Sequence, residues 1–100
     1  MIIKMGLISI DYYNTIRQAN KLDNAAEQCE DAERAANRAY AEICENWSGE
    51  AAEAFKAKLE EWKRENNRLK EECRELARTI KKIAKEIKEA DEAAANAIQR

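Results

Sequence analysis

Side-chain chemistry needs a proton carrier that titrates near neutral pH, an activated nucleophile or a cluster of metal ligands, and this chain holds few of those parts. It has no histidine. Its candidate nucleophiles are the thiols of Cys29, Cys44 and Cys73, an odd number lying far apart and without C-x-x-C spacing. Each reads as a small apolar packing residue and a free thiol. The carboxylates are numerous but interleave with lysine and arginine, as on a solvated helix face. There is no glycine-rich phosphate loop either. The expectation is a protein that is not an enzyme, with no cofactor, no metal and no small-molecule substrate.

What remains as a candidate functional element is the tripeptide Trp47-Ser48-Gly49 near mid-chain. Its surroundings are helical by composition: no proline, glycine only at Gly6 and Gly49, and alanine, glutamate, lysine and arginine dominant elsewhere. The formal charge of −2 lacks the basic footprint of a nucleic-acid binder, so no nucleic-acid partner is expected. No run approaches the roughly 18 apolar residues that span a bilayer, and MIIKMGLISI lacks the layout of a cleaved signal peptide. The expectation is synthesis in the cytoplasm and, if exported, a route without a cleaved leader.

One domain over residues 1–100 is predicted, all-α, an antiparallel hairpin of two long helices. Residues 1–8 are too short for a stable element alone and read as a flexible lead-in. Ser9 is a plausible N-cap with Asp11 adding charge near the helix start, so helix 1 is expected at about 9–46. The turn is placed at 47–49, where Gly49 frees the backbone and Ser48 offers the next N-cap. Helix 2 should run from about 50 to 97.

Heptad spacing supplies the packing. On helix 2, Phe55, Leu59, Trp62, Asn66, Leu69, Cys73, Leu76, Ile80, Ile83 and Ile87 alternate steps of four and three, the 3.5-residue repeat of supercoiled helices. On helix 1 the same alternation selects Ala19, Leu22, Ala26, Cys29, Glu33, Ala36, Tyr40 and Ile43, flanked by Ala25, Ala32 and Ala39. Reversal at Ser48 pairs Ile43 with Phe55, Tyr40 with Leu59, Ala36 with Trp62, Cys29 with Leu69, Ala26 with Cys73 and Leu22 with Leu76. Glu33 and Asn66 then share a layer and are expected to fix alignment or partner choice. A two-helix hairpin has no enclosed interior, so its aromatic and isoleucine side chains call for a second hairpin and a four-helix bundle.

Two long helices around a central Trp47-Ser48-Gly49, followed by Phe55, resemble the WXG100 (ESAT-6-like) family over essentially the whole chain. The resemblance implies a helical hairpin that dimerises with itself, or with a related hairpin or toxin. It implies secretion without a cleaved signal through a type VII system driven by an FtsK/SpoIIIE-like ATPase. It also implies that Trp47, Ser48 and Gly49 form the signature turn that the machinery reads. One departure is that no tyrosine has an acidic residue four positions later, as the family's Y-x-x-x-[D/E] export motif requires. The nearest match is Ile87-Lys88-Glu89-Ala90-Asp91, a degenerate form with Ile87 and Asp91 at the two motif places.

A self-dimerising secreted substrate is therefore the first functional expectation. A heterodimer partner or targeting chaperone for a larger LXG or WXG toxin is the alternative. An intracellular coiled-coil scaffold, with the tripeptide a coincidence, is the third.

Overall fold

A chain rich in good helix formers and free of proline can carry helices without interruption, and it does. The computed structural model describes residues 2–5 and 8–98. Two long helices, α1 at Tyr12–Ile43 and α2 at Gly49–Ile98, are separated by a 3-10 turn at Cys44–Asn46. The fold is an all-α helical hairpin.

The N-terminal segment carries more order than a flexible lead-in. Strand β1 (Ile2–Met5) pairs antiparallel with β2 (Ile8–Asp11), with Ile3 opposite Ile10 and Met5 opposite Ile8. Two runs too short to stand alone support each other by pairing, which single-segment reasoning overlooks. Met1, Gly6 and Leu7 of that lead-in lie outside the described residues. Because β2 extends to Asp11, α1 starts at Tyr12 rather than near Ser9. Asp11 is the cap: its Oδ1 accepts the Asn14 amide at 3.1 Å, and its carbonyl accepts the Thr15 hydroxyl at 2.8 Å.

The chain divides into two units, each made from both helices. One is Asn24–Cys73, around the turn; the other joins Met1–Asp23 to Arg74–Arg100. In the first, Tyr40 stacks on Phe55 with ring centroids 5.9 Å apart, and Asn66 reaches Cys29 farther from the turn. In the second, Asp23 binds Lys81 at 2.8 Å, and Lys88 sits 4.8 Å above the Tyr12 ring. Within each unit, positions descending α1 meet positions ascending α2, so the helices run antiparallel.

Among the described residues, the fully buried core is alanine apart from one leucine. Ala26 and Leu59 are buried in the turn unit, and Ala19, Ala77 and Ala84 in the other. On α1, Ala19 and Ala26 of the heptad seam are buried, and Leu22, Cys29, Glu33, Ala36 and Tyr40 are half-buried. On α2 the seam is rotated by one position. Leu59, Cys73, Ile80 and Ile87 face inward as expected, and Phe55 is half-buried.

Trp62, Leu69 and Leu76, set by the register in layers opposite α1, instead face outward, as does Ile83, with 38 to 52% exposure. Ile43 is also exposed. The reason lies in the other side of the contact. The alternation that begins at Leu59 can be completed by the row Trp62-Leu69-Leu76-Ile83 or by its neighbour Lys63-Lys70-Ala77-Ala84. Ala19 and Ala26 let the helices approach closely, and only small residues fit opposite them. The large side chains are excluded to the outer face. Lys63 and Lys70 lie half-buried at the near end of the inner row, with aliphatic stems long enough to pack while the charge stays wet.

Candidate functional site

With no catalytic constellation expected, the functional features are surfaces. The first is the turn. Its backbone forms because Cys44–Asn46 tightens into a 3-10 turn that ends at Trp47, whose amide donates to the Cys44 carbonyl at 3.2 Å. Trp47 then adopts extended backbone, and α2 restarts at Gly49. Ser48 caps that restart: its hydroxyl accepts the Ala51 amide at 3.2 Å and its carbonyl accepts the Ala52 amide at 2.9 Å. The Trp47 indole meets Phe55 edge-on at 5.6 Å, extending the stack of Phe55 on Tyr40. Three aromatic rings from α1, the turn and α2 thus form one cluster, with Trp47 still 43% exposed and Ile43 beside it in sequence.

Gly49 is not held there by backbone geometry. Its φ lies outside the left-handed region, and a Cβ added to it would meet nothing within 4 Å. An alanine fits without strain, so the fold alone gives no reason for glycine at this place.

The second surface is the outer row of α2. Trp62, Leu69, Leu76 and Ile83 recur every seventh residue, each exposed. Trp62 and Leu69 belong to the unit around the turn, Leu76 and Ile83 to the other.

Between these surfaces and the core lies the polar pair read from sequence. Asn66 Nδ2 donates to the Cys29 carbonyl at 2.8 Å in a part-buried position. That carbonyl is the helical acceptor for the Glu33 amide, so the bond lands in the turn that Glu33 ends. Glu33 itself is half-buried. Asn66→Ala leaves the carbonyl its helical partner and so orphans no buried group. It is expected to lower stability by about 1 kcal/mol, read as a urea midpoint shift in circular dichroism. A variant as stable as the parent would show that the bond contributes nothing.

The remaining candidates are dispersed. Ile87 and Asp91 are half-buried one helical turn apart on α2. Cys29, Cys44 and Cys73 are free thiols, each half-buried. Lys81 and Lys88 of α2 reach α1, through Asp23 and the Tyr12 ring. Sequence reasoning missed those contacts, since an exposed-looking lysine carries no local signal of its cross-helix partner. No group of residues suited to a metal ion occurs among the described residues.

Set beside known proteins, the chain is matched by the family model WXG100, proteins of 100 residues with WXG, over residues 7–92. No curated protein and no solved structure matches it.

Proposed function

Because the chain belongs to the WXG100 family, we propose that it is a small secreted protein of a type VII secretion system, acting through protein contacts as a homodimeric four-helix bundle. The observation that carries the dimer is the exposed heptad row of α2. Trp62, Leu69, Leu76 and Ile83, kept out of the hairpin's interior, form an exposed apolar row of the kind a second helix covers. Export proceeds without a cleaved leader, and its driver is an FtsK/SpoIIIE-like ATPase that reads the Trp47-Ser48-Gly49 turn. No helix among the described residues is long and apolar enough to cross a membrane.

The turn geometry supports the recognition role and makes it testable. Trp47 offers nearly half its surface, and Gly49 tolerates a methyl group. Trp47→Ala and Gly49→Ala should therefore fold, and both should sharply reduce the secreted fraction in a host with an active type VII system. Unchanged secretion of both variants would count against the turn as the recognised surface. Light scattering of the purified chain tests the dimer itself: the expected mass is twice the 11.5 kDa of one chain. A poorly folded monomer would mean that another protein supplies the missing half of the bundle.

A further inference from the structure

The two units of the hairpin are closed by different kinds of contact. Around the turn the chain itself joins the helices, and packing holds them: Leu59 is buried, Phe55 meets both Tyr40 and Trp47, and Asn66 bonds to Cys29. The unit of Met1–Asp23 with Arg74–Arg100 has no covalent turn of its own between its helices. Among the described residues, its fully buried side chains are Ala19, Ala77 and Ala84, single methyl groups that each remove little apolar surface from water. Ile16, Leu22, Ile80 and Ile87 are only half-buried.

Charge takes a larger share in closing this unit. Lys81 Nζ donates to Asp23 Oδ2 at 2.8 Å, and seven residues on, Lys88 Nζ lies 4.8 Å from the centre of the Tyr12 ring. Tyr12 and Asp23 are the first and last residues of the part of α1 that belongs to this unit. The two lysines, about two helical turns apart on α2, thus grip that stretch at both ends. Both partners of the ion pair remain partly exposed, at 37 and 39%, so dissolved ions screen it. The stretch is about twelve residues long, a length at which a helix released from its neighbour is marginal in water.

We propose that Lys81 and Lys88 form a charge-dependent clasp, whose release melts the start of α1 while the unit around the turn stays folded. The device needs one chain only and does not depend on the dimer. It makes the closure of one unit respond to ionic conditions, while the Trp47 turn and its aromatic cluster remain presented.

Native-state hydrogen exchange of the full chain, read segment by segment, tests this. Lys81→Met/Lys88→Met keeps the aliphatic stems and removes both charges. It is expected to lower protection of the Tyr12–Asp23 amides about five-fold and to leave Asn24–Cys73 unchanged. In the parent, raising salt from about 0.01 M to about 1 M should lower protection of Tyr12–Asp23 about two-fold, a response that the double variant should lack. Arg68→Met removes a 3.8 Å pair with Glu72 on an exposed face of the other unit, and as a control it should change neither segment. Equal losses in both units of the double variant would mean that the hairpin opens as a whole, and would overturn the clasp. Unchanged protection of Tyr12–Asp23 in that variant would overturn it as well, since the lysines would then hold nothing. So would a salt response that parent and double variant share.

Discussion

Leu59→Ala is expected to cost the folded chain about 2 to 5 kcal/mol, as for other buried leucines truncated to alanine. Among the described residues, Leu59 is the one large apolar side chain that is fully buried, beside Ala19, Ala26, Ala77 and Ala84. Ala26, the other fully buried residue of the unit around the turn, is small and adds little volume there. The neighbouring positions on α1 are constrained as well, since Tyr40 is committed to its stack on Phe55. Relaxation into the vacated space is therefore limited, and the loss should fall in the upper part of that range. Urea unfolding followed at 222 nm measures it. The loss should appear at any protein concentration, because Leu59 packs inside a single hairpin. A loss under about 1 kcal/mol would mean that this part of the interior is not close-packed.

The contrast between Leu59 and the row that begins at Trp62 shows how far the sequence could be read. Helix content, the antiparallel hairpin and the turn at Trp47-Ser48-Gly49 were legible because they depend on local signals. These were the absence of proline and the serine cap at Ser48; Gly49 marked the place, although its backbone does not require glycine. On α1 the seam from Ala19 to Tyr40 is buried or half-buried, whereas Ile43 at its end is exposed. The inward face of α2 was not legible.

There the repeat from Leu59 can continue through Trp62 and Leu69 or through Lys63 and Lys70, and the larger apolar residues point to the wrong row. Periodicity finds a stripe but not the direction of its centre. What decided between Leu76 with Ile83 and Ala77 with Ala84 was the close approach imposed by alanines on the other helix. That is a tertiary condition. The β1–β2 pairing and the Asp23–Lys81 bridge escaped for the same reason: each depends on two segments whose separate signals are weak. At the functional surfaces, the Trp47 turn was visible as a motif. The exposure of the α2 row became visible only when the core was seen to exclude it.

That exclusion sets up the second large effect. Leu69→Lys/Leu76→Lys should abolish dimerisation while leaving the single hairpin nearly as stable as before. Both leucines are about half exposed in one chain, at 52% and 51%. Four half-buried leucines per dimer, at about 25 cal/mol per Å² of apolar surface covered, are expected to contribute roughly 3 to 6 kcal/mol of association. Their loss corresponds to a hundred-fold or greater rise in Kd, before counting the repulsion among four introduced lysines.

Exposed substitutions of this kind usually change a monomer's stability by no more than about 0.5 kcal/mol. Thermal melting separates the two contributions. If folding is linked to dimerisation, the parent Tm rises with protein concentration, because mass action favours the folded dimer. The double lysine variant should lose that dependence and melt at one temperature throughout, whereas Leu59→Ala should lower Tm and keep the slope. A double lysine variant that still melts in a concentration-dependent way would place the dimer contact on another face of the hairpin, away from Leu69 and Leu76.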